Sequence, residues 1–141
     1  MRTLLLLGAL ALAATTATPA AAQSASRDSL AAWMRPGISL GLAEHRARTI
    51  SHVLYVLTLD VSSRDRAVGH VFIQFRHEAR EDVLVDFRGR RLLLASANGV
   101  QLPLDIANGA HIRIADQWLQ TGVNTLEFAF WAEIAPSGAS I

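Results

Sequence analysis

The sequence predicts an all-β fold, an antiparallel sandwich or saddle-like sheet of about seven short strands. Three observations predict it. From Thr49 onward, apolar and polar residues alternate with period two in short runs spaced about 8–12 residues apart. Two Asn-Gly pairs, Asn98-Gly99 and Asn108-Gly109, supply residues that accept positive φ at the centre of a tight hairpin. After Gly37 no long run carries the three-to-four-residue spacing of an amphipathic helix, so no long helix is expected there.

The strands follow in order. Val53, Tyr55, Leu57, Leu59 and Val61 alternate with His52, Thr58 and Asp60, which predicts a half-buried first strand ending at the polar turn Ser62–Asp65. Val71, Ile73 and Phe75 alternate with His70, Gln74 and Arg76 as the second. Val83, Val85 and Phe87 form a short third, ended by Arg88-Gly89, and Leu92 to Ala97 a fourth. Val100, Leu102 and Leu104 follow the first Asn-Gly turn, and Pro103, which has no N–H to donate, places this fifth strand at an edge. His111 to Ile114 is the sixth. A loop from Asp116 to Asn124, with one helical turn around Trp118-Leu119, leads to a seventh strand on which Leu126, Phe128 and Phe130 share a face; Ala135–Gly138 ends it.

Upstream, the first 22 residues have the layout of a secretory signal peptide. Arg2 is a short positive start, Leu4 to Ala14 is apolar but for Gly8, and Ala20-Ala21-Ala22 presents small residues to the signal peptidase, with cleavage expected after Ala22. The apolar run is too short to cross roughly 30 Å of hydrocarbon, so stable membrane insertion is not expected. The mature chain is expected to be exported, to a periplasm or the medium. Residues 23–37 are expected to be a linker, either a mobile tail after the signal peptide or one short helix. There Ser26 or Asp28 would cap, Leu30, Trp33 and Met34 would share a face, and Pro36-Gly37 would stop the turn. Residues 38–141 form the β domain, expected to be partial.

Composition narrows the chemistry. The 141 residues are 51% apolar, enough for one packed core, and the net charge is only +1. All basic side chains besides histidine are Arg, and no strong field draws the chain to nucleic acid. With no Cys there is no disulfide, no thiolate nucleophile and no cysteine zinc site. His45, His52, His70, His77 and His111 are scattered without zinc-ligand spacing, and His70 and His77 fall on opposite faces of one strand. They read as surface or strand-edge imidazoles. His77-Glu78 begins like the HExxH zinc motif, but position 81 is Glu. Glu78, Glu81 and Asp82, beside Arg76 and Arg80, read as a solvated hairpin loop, and Arg88–Arg91 as a charged turn with Phe87 in the core. No serine lies in a GxSxG elbow or an SxxK pair. Trp118 and Trp131 are the candidates for a sugar-stacking platform, and an outward-facing Trp131 would mark an interface. No catalytic, cofactor-binding or metal-binding residue is therefore assigned to the chain.

The strand sequences resemble a known family in ordered succession. Tyr55–Val61, Gly69–Phe75, Leu84–Gly89, the Asn98-Gly99 turn, Ala110–Ile114 and Leu119–Phe128 are similar to the opening of the zinc aminopeptidases of the aminopeptidase N family. The resemblance spans about Gly37 to Ile141, and Val56 stands where the family often has Asp. It implies an N-terminal β domain that packs against a thermolysin-like catalytic domain of the same polypeptide. The GxMEN motif, the HExxH helix and the distal Glu ligand of that domain are not in this sequence. Zinc, which activates a water for peptide hydrolysis with a Glu as general base, is implied only for a full-length parent enzyme, as is the peptide substrate. Two rivals are a free-standing periplasmic β-sandwich binding module and an interaction domain that takes a partner's strand on an open edge.

Overall fold

The computed structural model describes residues 29–89 and 91–135. The expected signal peptide and its cleavage point, residues 23–28 of the linker, Arg90 and Pro136–Gly138 lie outside the described residues.

The chain forms mostly antiparallel β-sheet in two layers. The described part of α1 covers residues 29–33, within the expected linker, and its last turn is closed by the Met34 N–H donating to the Leu30 carbonyl at 3.0 Å before Pro36. A second helix, α2, runs over Leu40–Thr49. It corrects the expectation of no long helix after Gly37. Ser39 caps it by accepting from the Leu42 N–H at 3.2 Å, and Arg46 and Arg48 lie in its last turn, where cations favour the carbonyl end. Its apolar stripe is only Leu42 deep, which is why periodicity did not find it.

Seven strands follow: β1 Ile50–Asp60, β2 Arg66–His77, β3 Val83–Asp86, β4 Arg91–Ala97, β5 Val100–Gln101, β6 His111–Ile114 and β7 Gly122–Glu133. Five of them make one sheet in the order β1-β2-β7-β4-β5, and β3 and β6 pair as a two-stranded ribbon. β7, last in sequence, therefore enters the centre and pairs with β2 from Arg66↔Glu133 to His77↔Gly122. The segment carrying Glu78, Glu81 and Asp82 is not a hairpin loop, as expected, but the corner where the chain leaves the large sheet for the ribbon. The two-residue turn at Asn98-Gly99 is present, with φ of 51° and 79° and Ala97 paired with Val100. At Asn108-Gly109 the Asn108 Oδ1 accepts from the Ala110 and His111 N–H groups at 3.0 and 2.8 Å, so the side chain closes that turn. β5 is shorter than expected because Pro103 ends the ladder.

The core lies between sheet and ribbon. Ile73 and Phe75 from β2, Leu126 and Phe128 from β7, and Ile112 and Ile114 from β6 are all buried there. Gly69 illustrates the fit, because a Cβ at that position would overlap the Phe130 ring that lies across it on β7.

The burial expected of β1 is not found. Alternation predicts a half-buried β1, yet Val53, Tyr55, Leu57, Leu59 and Val61 are 49–63% exposed. β1 is the edge of the large sheet, and the ribbon, with strands of four residues, does not reach it. Alternation reveals that a strand has an apolar face; it does not reveal whether a second layer covers it.

Candidate functional site

The uncovered part of the sandwich is a groove of about 750 Å³ between the large sheet and the ribbon. Tyr55 and Leu57 of β1, Val71 of β2, Phe130 of β7 and Phe87 beyond β3 are among the side chains that line it. The Phe87 and Phe130 rings meet edge to face, with centroids 5.6 Å apart, where the groove joins the core. An apolar cleft of this size falls within the range of ligand or docking sites, and apolar surface left in water is the usual mark of one.

One side of the groove carries a polar clamp. Arg46, near the end of α2, forks onto Asp86 at the end of β3, with Nη1 to Oδ2 at 3.0 Å and Nη2 to Oδ1 at 2.7 Å. The same Nη2 donates to the Leu84 carbonyl at 2.8 Å. His111 of β6 lies with Nδ1 at 3.0 Å from the same Asp86 Oδ1, and its Nε2 is 3.0 Å from the Arg35 carbonyl. Asn108 donates to the Met34 carbonyl at 2.6 Å. These bonds hold the end of α1 and the C-terminal part of α2 against the ribbon and its preceding turn, so the described part of the predicted linker is docked on the β fold. The Arg46 hydrogen bond holds the Asp86 carboxyl below the ordinary carboxylate value, against the opposing effect of burial, with help from the charges of Arg46 and His111. A carboxylate shared between a guanidinium and an imidazole is a structural anchor here, because His111 is 1% exposed and aimed at a backbone carbonyl, not at the groove.

The other histidines and carboxylates are dispersed. His70 faces the opposite side of β2 from His77, as its spacing predicts, and meets Glu127 at 2.8 Å on the exposed face. His77 and His111 are not surface imidazoles, contrary to expectation; both are 1% exposed. His45 pairs with Glu81 at 3.2 Å and packs its ring on Trp33 at 4.5 Å. Glu78 meets Arg76, and Asp82 accepts from Arg113 at 2.6 Å and from the Asp116 N–H at 3.0 Å. Each carboxylate of the corner has its own donor, so they form no acid–base pair in a shared cleft. Among the described residues no group of three or more His, Asp or Glu is placed to hold a metal ion.

Trp118 and Trp131 share no platform. Trp118 sits on a 3-10 turn, Asp116–Trp118, where its carbonyl accepts from Asn98, beside the start of β7. Trp131 lies near the far end of that strand, about 30 Å from its start at 3.3 Å per residue, under Arg66 on the outer face. Phe87 packs against the core, as expected, and Arg88 is at the groove mouth. No helix among the described residues is long and apolar enough to cross a membrane. Sequence reading missed the clamp because Arg46, Asp86 and His111 are far apart in the chain and carry no spacing signature. The one local clue was Ser39 as a helix cap ahead of Arg46.

His77 gives the fold a pH dependence. Neither ring nitrogen has a hydrogen-bond partner, and burial pushes the imidazole below its ordinary value of 6.5. Glu81 opposes that shift, His45 adds to it, and Glu78 opposes it again. The unfolded chain therefore takes up a proton near pH 6.5 that the folded chain refuses, so stability is full above that pH and falls as the pH drops below it. The midpoint of urea unfolding is expected to be flat from about pH 8 to 7 and to decline below about 6.5, with a further decline where Asp86 titrates. In His77→Leu the first decline should disappear.

No protein-family model matches the chain, and no curated protein is significantly similar to it.

Proposed function

We propose that the chain is a non-catalytic docking module, the N-terminal β part of an exported zinc aminopeptidase, and that its groove seats another part of the same enzyme. The observation that carries this reading is the apolar groove beneath β1. A two-layer β fold buries its inner faces, and here the wall made by Tyr55 and Leu57 remains half exposed although it is as apolar as the core. A catalytic domain packed over β1 and β2 would bury that wall, and the module would then wall the active-site cavity and limit access to peptide ends. The ordered resemblance of the strands and turns to the aminopeptidase N family supports the choice of partner. The chemistry would belong to the partner: zinc, bound there, would supply an activated water. This chain's residues would hold the β surface in place, with Arg46, Asp86 and His111 fixing the ribbon that forms the opposite wall.

Reading the gene downstream of the Ile141 codon tests the proposal. An in-frame continuation into a GxMEN motif and an HExxH helix is the expected result. A stop codon there, with no such domain encoded beside it, would overturn the reading in favour of a free-standing binding module. The purified chain is also expected to release no product from amino-acid anilides, and turnover by the pure protein would contradict a non-catalytic role.

A further inference from the structure

The large sheet has two unlike edges. β5 is two residues long and Pro103 follows it, so that edge offers little ladder to pair with. β1 is eleven residues long and, among the described residues, pairs only with β2. Natural edge strands of that length are usually guarded by a Lys, a Pro or an inward-pointing charge. Ile50–Asp60 contains no Lys, Arg or Pro. Its side chains are apolar on both faces, with Tyr55 60%, Val56 55% and Leu57 54% exposed.

The usable part of this edge is self-complementary. The ladder with β2 shifts register between Ser51 and Leu54, and His52, at φ 51°, marks the kink. Beyond it the pairing is continuous from Leu54↔Gln74 to Asp60↔Val68, and Leu57 is the middle residue of that stretch. A two-fold axis through Leu57 sets Leu57 opposite its copy, Val56 opposite Thr58, Tyr55 opposite Leu59, and Leu54 opposite Asp60. The only charged side chain in the stretch, Asp60, then meets a leucine, and the two Asp60 side chains lie at opposite ends of the ladder. Apolar residues face each other and no like charges meet.

We propose that β1 pairs antiparallel with β1 of a second copy of this chain, joining two five-stranded sheets into one continuous sheet. Edge pairing covers the backbone of β1 and the flanks of its side chains that face the second copy, while the groove-side surfaces of Tyr55 and Leu57 stay exposed. The pairing uses the sheet edge and leaves the groove open, so it stands or falls independently of what the groove seats.

Val56 and Thr58 alternate with the groove-lining Tyr55 and Leu57, and each faces the other's copy across the axis. They supply a register-specific test by sedimentation equilibrium of the full chain at micromolar concentration. The unaltered chain is expected to sediment as a dimer. The double variant V56K/T58K sets like charges directly opposite one another and should halve the mass. The variant V56K/T58E sets opposite charges there and should restore the dimer. A monomeric unaltered chain, or the same mass for all three proteins, would overturn the proposal. If V56K/T58K fails to fold, Leu57→Cys decides. The chain has no other cysteine, so a disulfide at Leu57 can form only between copies. Rapid cross-linking there, but not in Val100→Cys on β5, is expected; equal or absent cross-linking would overturn the proposal.

Discussion

Phe128→Ala should lower the stability of the protein by about 3–5 kcal/mol, the cost of emptying a large side chain from a core that cannot collapse around the loss. Phe128 is 2% exposed on the central strand β7 and touches the core where sheet and ribbon meet. Its neighbours on the ribbon, Ile112 and Ile114, are held by the pairing of β3 with β6 and cannot follow a shrinking side chain. Leu57→Ala is the informative contrast. Leu57 is as apolar, but it is 54% exposed, so its truncation should cost less than about 1 kcal/mol. Urea unfolding of the two variants measures both values. Near-equal losses would mean that the groove side of β1 is covered in solution and that the groove is not open.

Asn124→Ala is the second large effect, with an expected loss of about 3 kcal/mol. Asn124 is 0% exposed and uses its whole amide. Its Oδ1 accepts from the Gln120 N–H at 2.9 Å and from Asn98 Nδ2 at 3.0 Å. Its Nδ2 donates to the carbonyls of Gln120 at 2.7 Å and Gly122 at 3.1 Å. Alanine strands these groups, and only those near the surface regain water. Asn124→Asp keeps the shape but turns acceptors toward two carbonyls, so it should be at least as damaging. Asn98 also accepts from the Thr125 N–H at 3.0 Å and its own N–H donates to the Thr125 carbonyl at 2.8 Å, so side chain and backbone together tie the tight hairpin to the start of β7. Thermal melts of the three proteins test the ranking. A neutral Asn124→Asp would show that the amide is not the anchor it is drawn to be.

The strands were legible because alternation and turn residues are local. Val83–Asp86, His111–Ile114 and the Asn98-Gly99 turn fall where the pattern put them. Their partners were not legible. Nothing in β7 announces that it will pass between β2 and β4, and nothing in Val83 or Ile114 announces that they will face each other in a ribbon. Asn124, placed in a loop by the sequence pattern, is a buried polar hub, because a single asparagine has no period to betray it. The groove was the furthest from view. Tyr55 and Leu57 carry the same alternation as Ile73 and Phe75, and only the reach of the second layer separates an exposed wall from a buried one.

An uncovered apolar groove on a folded chain is measured most directly by titrating an environment-sensitive dye such as anilinonaphthalene sulfonate. The titration belongs at a pH near 8, where His77 is neutral and the near-ultraviolet circular dichroism reports fixed packing. Saturable binding with a large rise in fluorescence is predicted, together with a retained cooperative melt. Tyr55→Asp and Leu57→Asp, on the groove wall, should weaken that binding severalfold at little cost in stability. A sharply melting protein that leaves the dye dark, or dye binding that the two variants do not alter, would contradict a groove open for docking.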